Sequence, residues 1–200
     1  KGEHDAFIKV FDCSTFLLKL KHLFFRSKAK REFILSHKIK NLGVPGVLSI
    51  VLGEKRRMGI LQRSYLIVKK IDNAVNLKEF FYDTGLKPKE RHIVLQEFGK
   101  VARLSHCKGI FQTDFALNNF LVQKLDDGGF KVYLIDYERT VIRNNLAAGD
   151  RFWALAKLNR VGADFTISDK MRFLLSYFNS WLDDQIYPGR RDDIKSLIRK

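Results

Sequence analysis

Residues 109–140, GIFQTDFALNNFLVQKLDDGGFKVYLIDYERT, constrain the fold more than any other part of the chain. Two β-prone runs, 120–122 and 130–135, flank Asp126-Asp127-Gly128-Gly129, a pattern that reads as a hairpin. A hairpin of that length returns Asp136 towards the loop that carries Asp114 and Asn119. Three oxygen-bearing side chains then converge at one end of a small sheet. Such donors suit a hard divalent cation such as magnesium, which takes one or two carboxylates together with the phosphates of a nucleotide. Each residue alone also reads as a turn former or a strand-end cap. The hairpin and the apolar approach to Asp136 favour the functional reading of the three together.

At these residues the stretch resembles the catalytic core of protein-kinase-like folds. There an aspartate with an asparagine five positions on occupies the catalytic loop, and a second aspartate follows a hairpin. The wording GIFQTDFALNNFLV followed by YLIDYERT is similar to the Kdo/WaaP lipopolysaccharide kinase family of Gram-negative bacteria. The resemblance continues through 7–11, 27–33 and 42–45 upstream, and through 155–160 and 169–178 downstream. It implies a two-lobed α+β, protein-kinase-like fold, with a small β-rich N-lobe over 1–72 and a mostly helical C-lobe over 73–200. It also implies a phosphotransferase that uses ATP and Mg2+ on a sugar hydroxyl, heptose or Kdo, of the lipopolysaccharide inner core or a lipid A precursor.

The resemblance assigns roles to individual residues. Asp114 orients the sugar hydroxyl and accepts its proton, Asn119 ligates magnesium, and Asp136 bridges the metal to the phosphates. Lys9 contacts the nucleotide phosphates and is held by Glu32. The main chain of Lys69, Lys70 and Ile71 meets the adenine at the hinge, while Leu121 floors its pocket and Ile135 lines it. Departures from the wider kinase pattern are Gln112, where a histidine is usual, and Tyr137-Glu138, where Phe-Gly follows the metal aspartate in protein kinases. The first predicts altered loop rigidity rather than lost chemistry, and the second argues against an activation-segment switch. Eight residues precede Lys9 and no G-x-G-x-x-G occurs, so the N-lobe is expected to be incomplete in this stretch. The competing readings are a kinase-like phosphotransferase of another class, RIO-like or aminoglycoside-type, and a pseudokinase scaffold.

The remaining residues supply the frame. AFIKVF at 6–11 alternates as a strand, and a lysine in mid-strand needs a partner if its face is buried. A helix is expected over 27–42, ending at Gly43 with Pro45 beyond. Glu32, Leu35, Ile39 and Leu42 share one stripe of it, so Glu32 faces the core and Lys9 is its natural cation. The alternative is a surface Glu32 paired with Lys28 or Arg31. Strands are expected at 47–52 and 60–68, joined by a turn containing Glu54-Lys55-Arg56-Arg57. Asn76 with Glu79 starts a short helix. A longer one runs from Pro88 to about His106, with Val94, Phe98, Val101 and Ser105 in register. His106 reads as a helix-end residue rather than a catalyst. Two further helices are expected over 150–160 and 168–181, the second with Met171, Leu174, Leu175, Phe178 and Trp181 on one apolar face.

The formal net charge of +15 over 200 residues predicts an anionic partner. Within 16–40 there are eight Lys or Arg against Glu32 alone. FLLKLKHLFFRSKAKR suits an interfacial helix or flap on an anionic membrane surface, the alternative being a helix pair with a solvated basic face. Nucleic acid is not expected, because no helix-turn-helix, zinc-finger or aromatic RNA-binding signature accompanies the charge. Cys13 and Cys107 make no disulfide or zinc pattern. The absence of a spanning apolar run, together with a polar start, predicts a cytoplasmic protein, and the resemblance implies that it works peripheral to the inner membrane.

Overall fold

The computed structural model describes residues 6–13, 25–161 and 165–179. Residues 16–24 of the basic segment 16–40, Trp181 and the tail acids Asp183, Asp184, Asp192 and Asp193 lie outside the described residues. The first sheet is antiparallel, with β1 (Ala6–Asp12), β2 (Ser49–Arg57) and β3 (Ile60–Lys69) in the order β1-β3-β2. Lys9 pairs with Leu66 across it. The turn between β2 and β3 is Met58-Gly59, both at positive φ (49° and 78°), the geometry of a two-residue hairpin whose twist matches its strands. Glu54, Lys55, Arg56 and Arg57, expected in that turn, belong to β2. Their charges sit on half-buried and exposed strand positions, and the turn is set by the residues that reach positive φ.

Helix α1 (Lys28–Asn41) packs on this sheet. Ser27 caps it by accepting a hydrogen bond from the Lys30 amide at 3.1 Å. Its buried stripe is Ala29, Glu32, Leu35, Ser36 and Ile39. Ala29 joins Val47, Leu66 and Val68 in a small apolar cluster, whereas Leu35 and Ile39 enter the main core, so α1 ties the two together. The segment after Gly43 then fastens to the second half of the chain. Leu134 donates to Pro45 O and accepts from Val47 N, each at 3.0 Å.

The second sheet comprises β4 (Ala74–Asn76), β6 (Phe120–Lys124) and β7 (Phe130–Leu134), with β6 and β7 forming the expected hairpin. A separate antiparallel pair joins β5 (Ile110–Gln112) to β8 (Thr140–Ile142). Three-residue strands such as β4, β5 and β8 are too short to show a period of two, so the sequence carries no sign of them. The helices are α2 (Leu77–Tyr82), α3 (Pro88–Cys107), α4 (Ala148–Val161) and α5 (Ile167–Asn179). Val94, Phe98, Val101 and Ser105 of α3 are buried as expected.

Phe98 packs against Phe120 (ring centroids 4.7 Å apart), and Phe115 against Phe120 at 5.3 Å, which anchors the loop beside Asp114. The apolar face of α5 is rotated from the expected one. Phe173 and Tyr177 are its buried residues, with Leu174 and Phe178 packed beside them, and Leu175 is 51% exposed.

Buried Asp169 holds the start of α5. It accepts from Arg91 Nη2 at 2.9 Å and Nε at 3.1 Å, and exchanges hydrogen bonds with Thr166. Burial pushes its carboxyl up, but the Arg91 and Thr166 bonds outweigh burial and hold it below its ordinary value. A depressed carboxyl stabilises the fold above its unfolded pKa of about 3.9, and that contribution fades as pH falls through the lower folded value. Asp169→Ala is therefore expected to cost about 3 kcal/mol at neutral pH. Urea unfolding at pH 7 and pH 3 checks it: the gap from wild type should be wide at the first and narrow at the second.

Candidate active site

Lys9 Nζ lies 2.6 Å from Glu32 Oε1, pairing the middle of β1 with the buried stripe of α1. The Glu32 side chain is only 4% exposed, and the surface pairing with Lys28 or Arg31 does not occur. Lys28 instead meets Glu138, at 2.5 Å, and Arg31 donates to Thr140 O at 3.1 Å. Burial pushes the Glu32 carboxyl up, the Lys9 bond pulls it down, and the charges of Asp136 and Glu138 push it up again. The net is a carboxyl above its ordinary range. Asp136 is thus electrostatically in touch with the Lys9–Glu32 pair.

That pair forms one wall of a largely apolar cavity. Lys9, Glu32, Lys69, Lys70, Ile71, Leu121, Ile135 and Asp136 all line it, together with Val47, Val68 and Ala74. Leu121 and Ile135, from the hairpin, pack against the small cluster of the first sheet, so the cavity sits where the two halves meet. Lys69 closes β3, and its amide donates to Leu48 O at 2.9 Å. That amide is engaged within the fold, so at Lys69 the main-chain group left for an adenine is the carbonyl, beside the main chain of Lys70 and Ile71. Val47, Val68 and Ala74 were not anticipated as walls.

A second, strongly polar cavity is lined by Gln112, Asp114, Asn119, Asp136, Glu138 and Arg139. Asp136 lines both cavities. Its backbone is left-handed, with φ +56°, a conformation that aspartate tolerates better than most residues. Two contacts hold it there. Asp136 Oδ1 accepts from Glu138 N at 3.2 Å, and Gln112 Nε2 donates to the carbonyls of Ile135 at 3.3 Å and Asp136 at 3.2 Å. Gln112 therefore splints the loop, and the rigidity expected to change with it is built on an amide. Tyr137 adds a second brace, its buried hydroxyl lying within hydrogen-bond distance of Val47 O (3.0 Å) and Leu134 O (2.9 Å) and donating its one hydrogen to either.

Gln112→Leu removes the donor for two carbonyls and is expected to lower stability by about 1–3 kcal/mol. Thermal unfolding checks it, and an unchanged midpoint would mean that water replaces the amide without loss.

In the loop between β5 and β6, Asn119 Nδ2 donates to Asp114 O, so Oδ1 is the amide atom that could hold a metal. Asp114 is held by a residue the sequence did not reveal. Lys157 of α4 bonds Asp114 Oδ1 at 2.6 Å and Thr113 O at 2.9 Å. His106 is a core residue: 1% exposed, 2.7 Å from the Tyr177 hydroxyl, and pushed down to about 3 by burial and the charge of Arg151.

The donor chemistry fits magnesium. Asn119 and Asp136 line one cavity together with Gln112, whose Oε1 is buried without a hydrogen-bond partner. Among the described residues no group of three or more His, Cys, Asp or Glu side chains could cage a metal.

The chain is similar to known proteins along most of its length. The profile of the Lipopolysaccharide kinase (Kdo/WaaP) family matches residues 17–177. Lipopolysaccharide core heptose(I) kinase WaaP of Escherichia coli is 23% identical over 164 residues, covering 78% of this chain and 62% of the relative. The protein of the same name from strain K12 is 24% identical over 158 residues, 75% of this chain and 60% of its own length. The chain thus spans less than two thirds of these relatives. A solved structure of WaaP in complex with acyl carrier protein superposes with a TM-score of 0.67 at 21% identity, covering 97% of this chain and 76% of that one. The fold is the α+β, protein-kinase-like one expected from the sequence.

Proposed function

Because the chain belongs to the Kdo/WaaP lipopolysaccharide kinase family, we propose that it transfers the γ-phosphoryl group of ATP to a sugar hydroxyl, of heptose or Kdo, in the lipopolysaccharide inner core. The supporting observation is that Asp136 belongs to two cavities at once, the apolar one with Lys9 and the polar one with Asp114. A nucleotide in the first would direct its phosphates towards the second, where an acceptor hydroxyl meets Asp114. Lys9, fixed by Glu32, would bind those phosphates, and Leu121 and Ile135 would pack on the adenine. Asn119 and Asp136 would hold magnesium, which neutralises charge on the phosphoryl oxygens when bound. Asp114 would orient the hydroxyl and receive its proton.

The net charge of +15 favours a phosphorylated, membrane-borne acceptor. Peripheral attachment to the cytoplasmic face of the inner membrane follows from it as part of the proposal. Among the described residues no helix is long and apolar enough to cross a membrane. An acyl carrier protein, the partner in the solved neighbour, is proposed as a partner here as well.

The experiment is transfer of label from γ-labelled ATP to purified core oligosaccharides that end in heptose or in Kdo, with wild type and Asp136→Ala. Label on one of these acceptors with wild type, lost in the variant, supports the reading. Label on neither, or undiminished in the variant, rejects it.

A further inference from the structure

The ammonium of Lys157 sits 2.6 Å from Asp114 Oδ1, although the two residues are 43 positions apart. It also donates to Thr113 O at 2.9 Å and lies over the Trp153 ring, 5.4 Å from its centroid. Trp153 in turn packs on Phe111 of β5 (centroids 5.7 Å apart). The strand that leads into the catalytic loop and the helix that carries the lysine are therefore locked together by side chains. Ion pairs between exposed groups contribute little, because two long side chains must be immobilised in a high dielectric. This lysine is only 23% exposed and has three fixed contacts, so its geometry is set before any substrate arrives.

We propose that Lys157 is a positioning residue of the transfer step, acting through Asp114. The inference rests on the phosphotransfer reading above. By occupying Oδ1, the ammonium fixes the rotation of the carboxylate and leaves Oδ2 to take the acceptor's hydrogen. In the step itself the acceptor O–H proton passes to Asp114 Oδ2 and the acceptor oxygen bonds the γ-phosphorus. The bond from that phosphorus to the β–γ bridging oxygen breaks, releasing ADP. The charge of Lys157 offsets the concentration of acids in this cavity, where Asp114, Asp136 and Glu138 face Arg139.

The test measures kcat and KM with ATP and core oligosaccharide for wild type and Lys157→Met. The expected result is a kcat lower by about 10²-fold with KM for ATP unchanged, since Lys157 lines neither wall of the nucleotide cavity. Added ethylamine should restore part of the lost kcat in Lys157→Ala, where truncation leaves room for the amine, and leave wild type unaffected, a response that a merely structural lysine does not give. Lys157→Cys, assayed before and after aminoethylation, reads the same amine in a second variant. Wild type alkylated in parallel controls for Cys13 and Cys107. A Lys157→Met enzyme with wild-type kcat overturns the inference, and so does a loss that neither ethylamine nor aminoethylation relieves. Absence of transfer by wild type rejects the phosphotransfer reading itself.

Discussion

Asp114→Asn is expected to reduce kcat by about 10³-fold, the order contributed by a positioned proton acceptor, while KM for ATP stays close to wild type. The separation of the two parameters follows from geometry. Asp114 lines the polar cavity only, whereas Lys9, Leu121 and Ile135 line the apolar one. Losing its charge therefore removes an interaction made as the proton moves and leaves nucleotide binding in place. Stability should change little, because the Asp114 side chain is 44% exposed and its ion pair with Lys157 is partly solvated. Steady-state kinetics with ATP and core oligosaccharide checks both halves. A parallel rise in KM for ATP would place Asp114 in nucleotide binding, and an unchanged kcat would remove it from the chemistry.

Gly109→Ala is expected to cost at least about 3 kcal/mol and to take activity with it. Gly109 has φ +72°, where an L side chain costs about 1–2 kcal/mol before any contact is considered. Its added Cβ would lie 1.8 Å from Arg143 O. That neighbour is backbone and cannot swing aside, because Arg143 N donates to Gly109 O at 2.9 Å in the β5–β8 pairing. The alanine must prise β5 from β8. β5 ends at Gln112, which splints the Asp136 loop, and it leads directly into Asp114. Urea unfolding should show a large fall in midpoint, and a shift of less than about 1 kcal/mol would mean that the β5–β8 pair has slack that these contacts do not suggest.

Much of the site was legible because its residues violate their surroundings. Lys9 stands in a strand with apolar neighbours, Glu32 is the lone acid on a basic helix, and Asp136 ends an apolar strand. Each such misfit needs a partner, and the fold pairs or gathers them. Lys157 was not legible, being one of 37 Lys and Arg residues and reaching Asp114 only through the packing of α4. The hinge was placed by position along the chain, and sequence cannot show that Leu48 engages the Lys69 amide. In β2 the run of charges at 54–57 imitated a turn, since polarity marks both a solvated strand and a loop. On α5 the broad apolar face allowed two registers, and contact with α3 selects the one through Phe173 and Tyr177.

The proposed transfer requires that Lys9, Glu32, Asp114, Asn119 and Asp136 meet around one magnesium-bound nucleotide. Calorimetric titration of ATP into wild type and Asp136→Ala, each with and without magnesium, tests it most directly. Wild type is expected to bind tightly and only with magnesium, and the variant to lose that dependence. Equal affinity with and without the metal in wild type, or an Asp136→Ala protein that keeps the full magnesium effect, would contradict it.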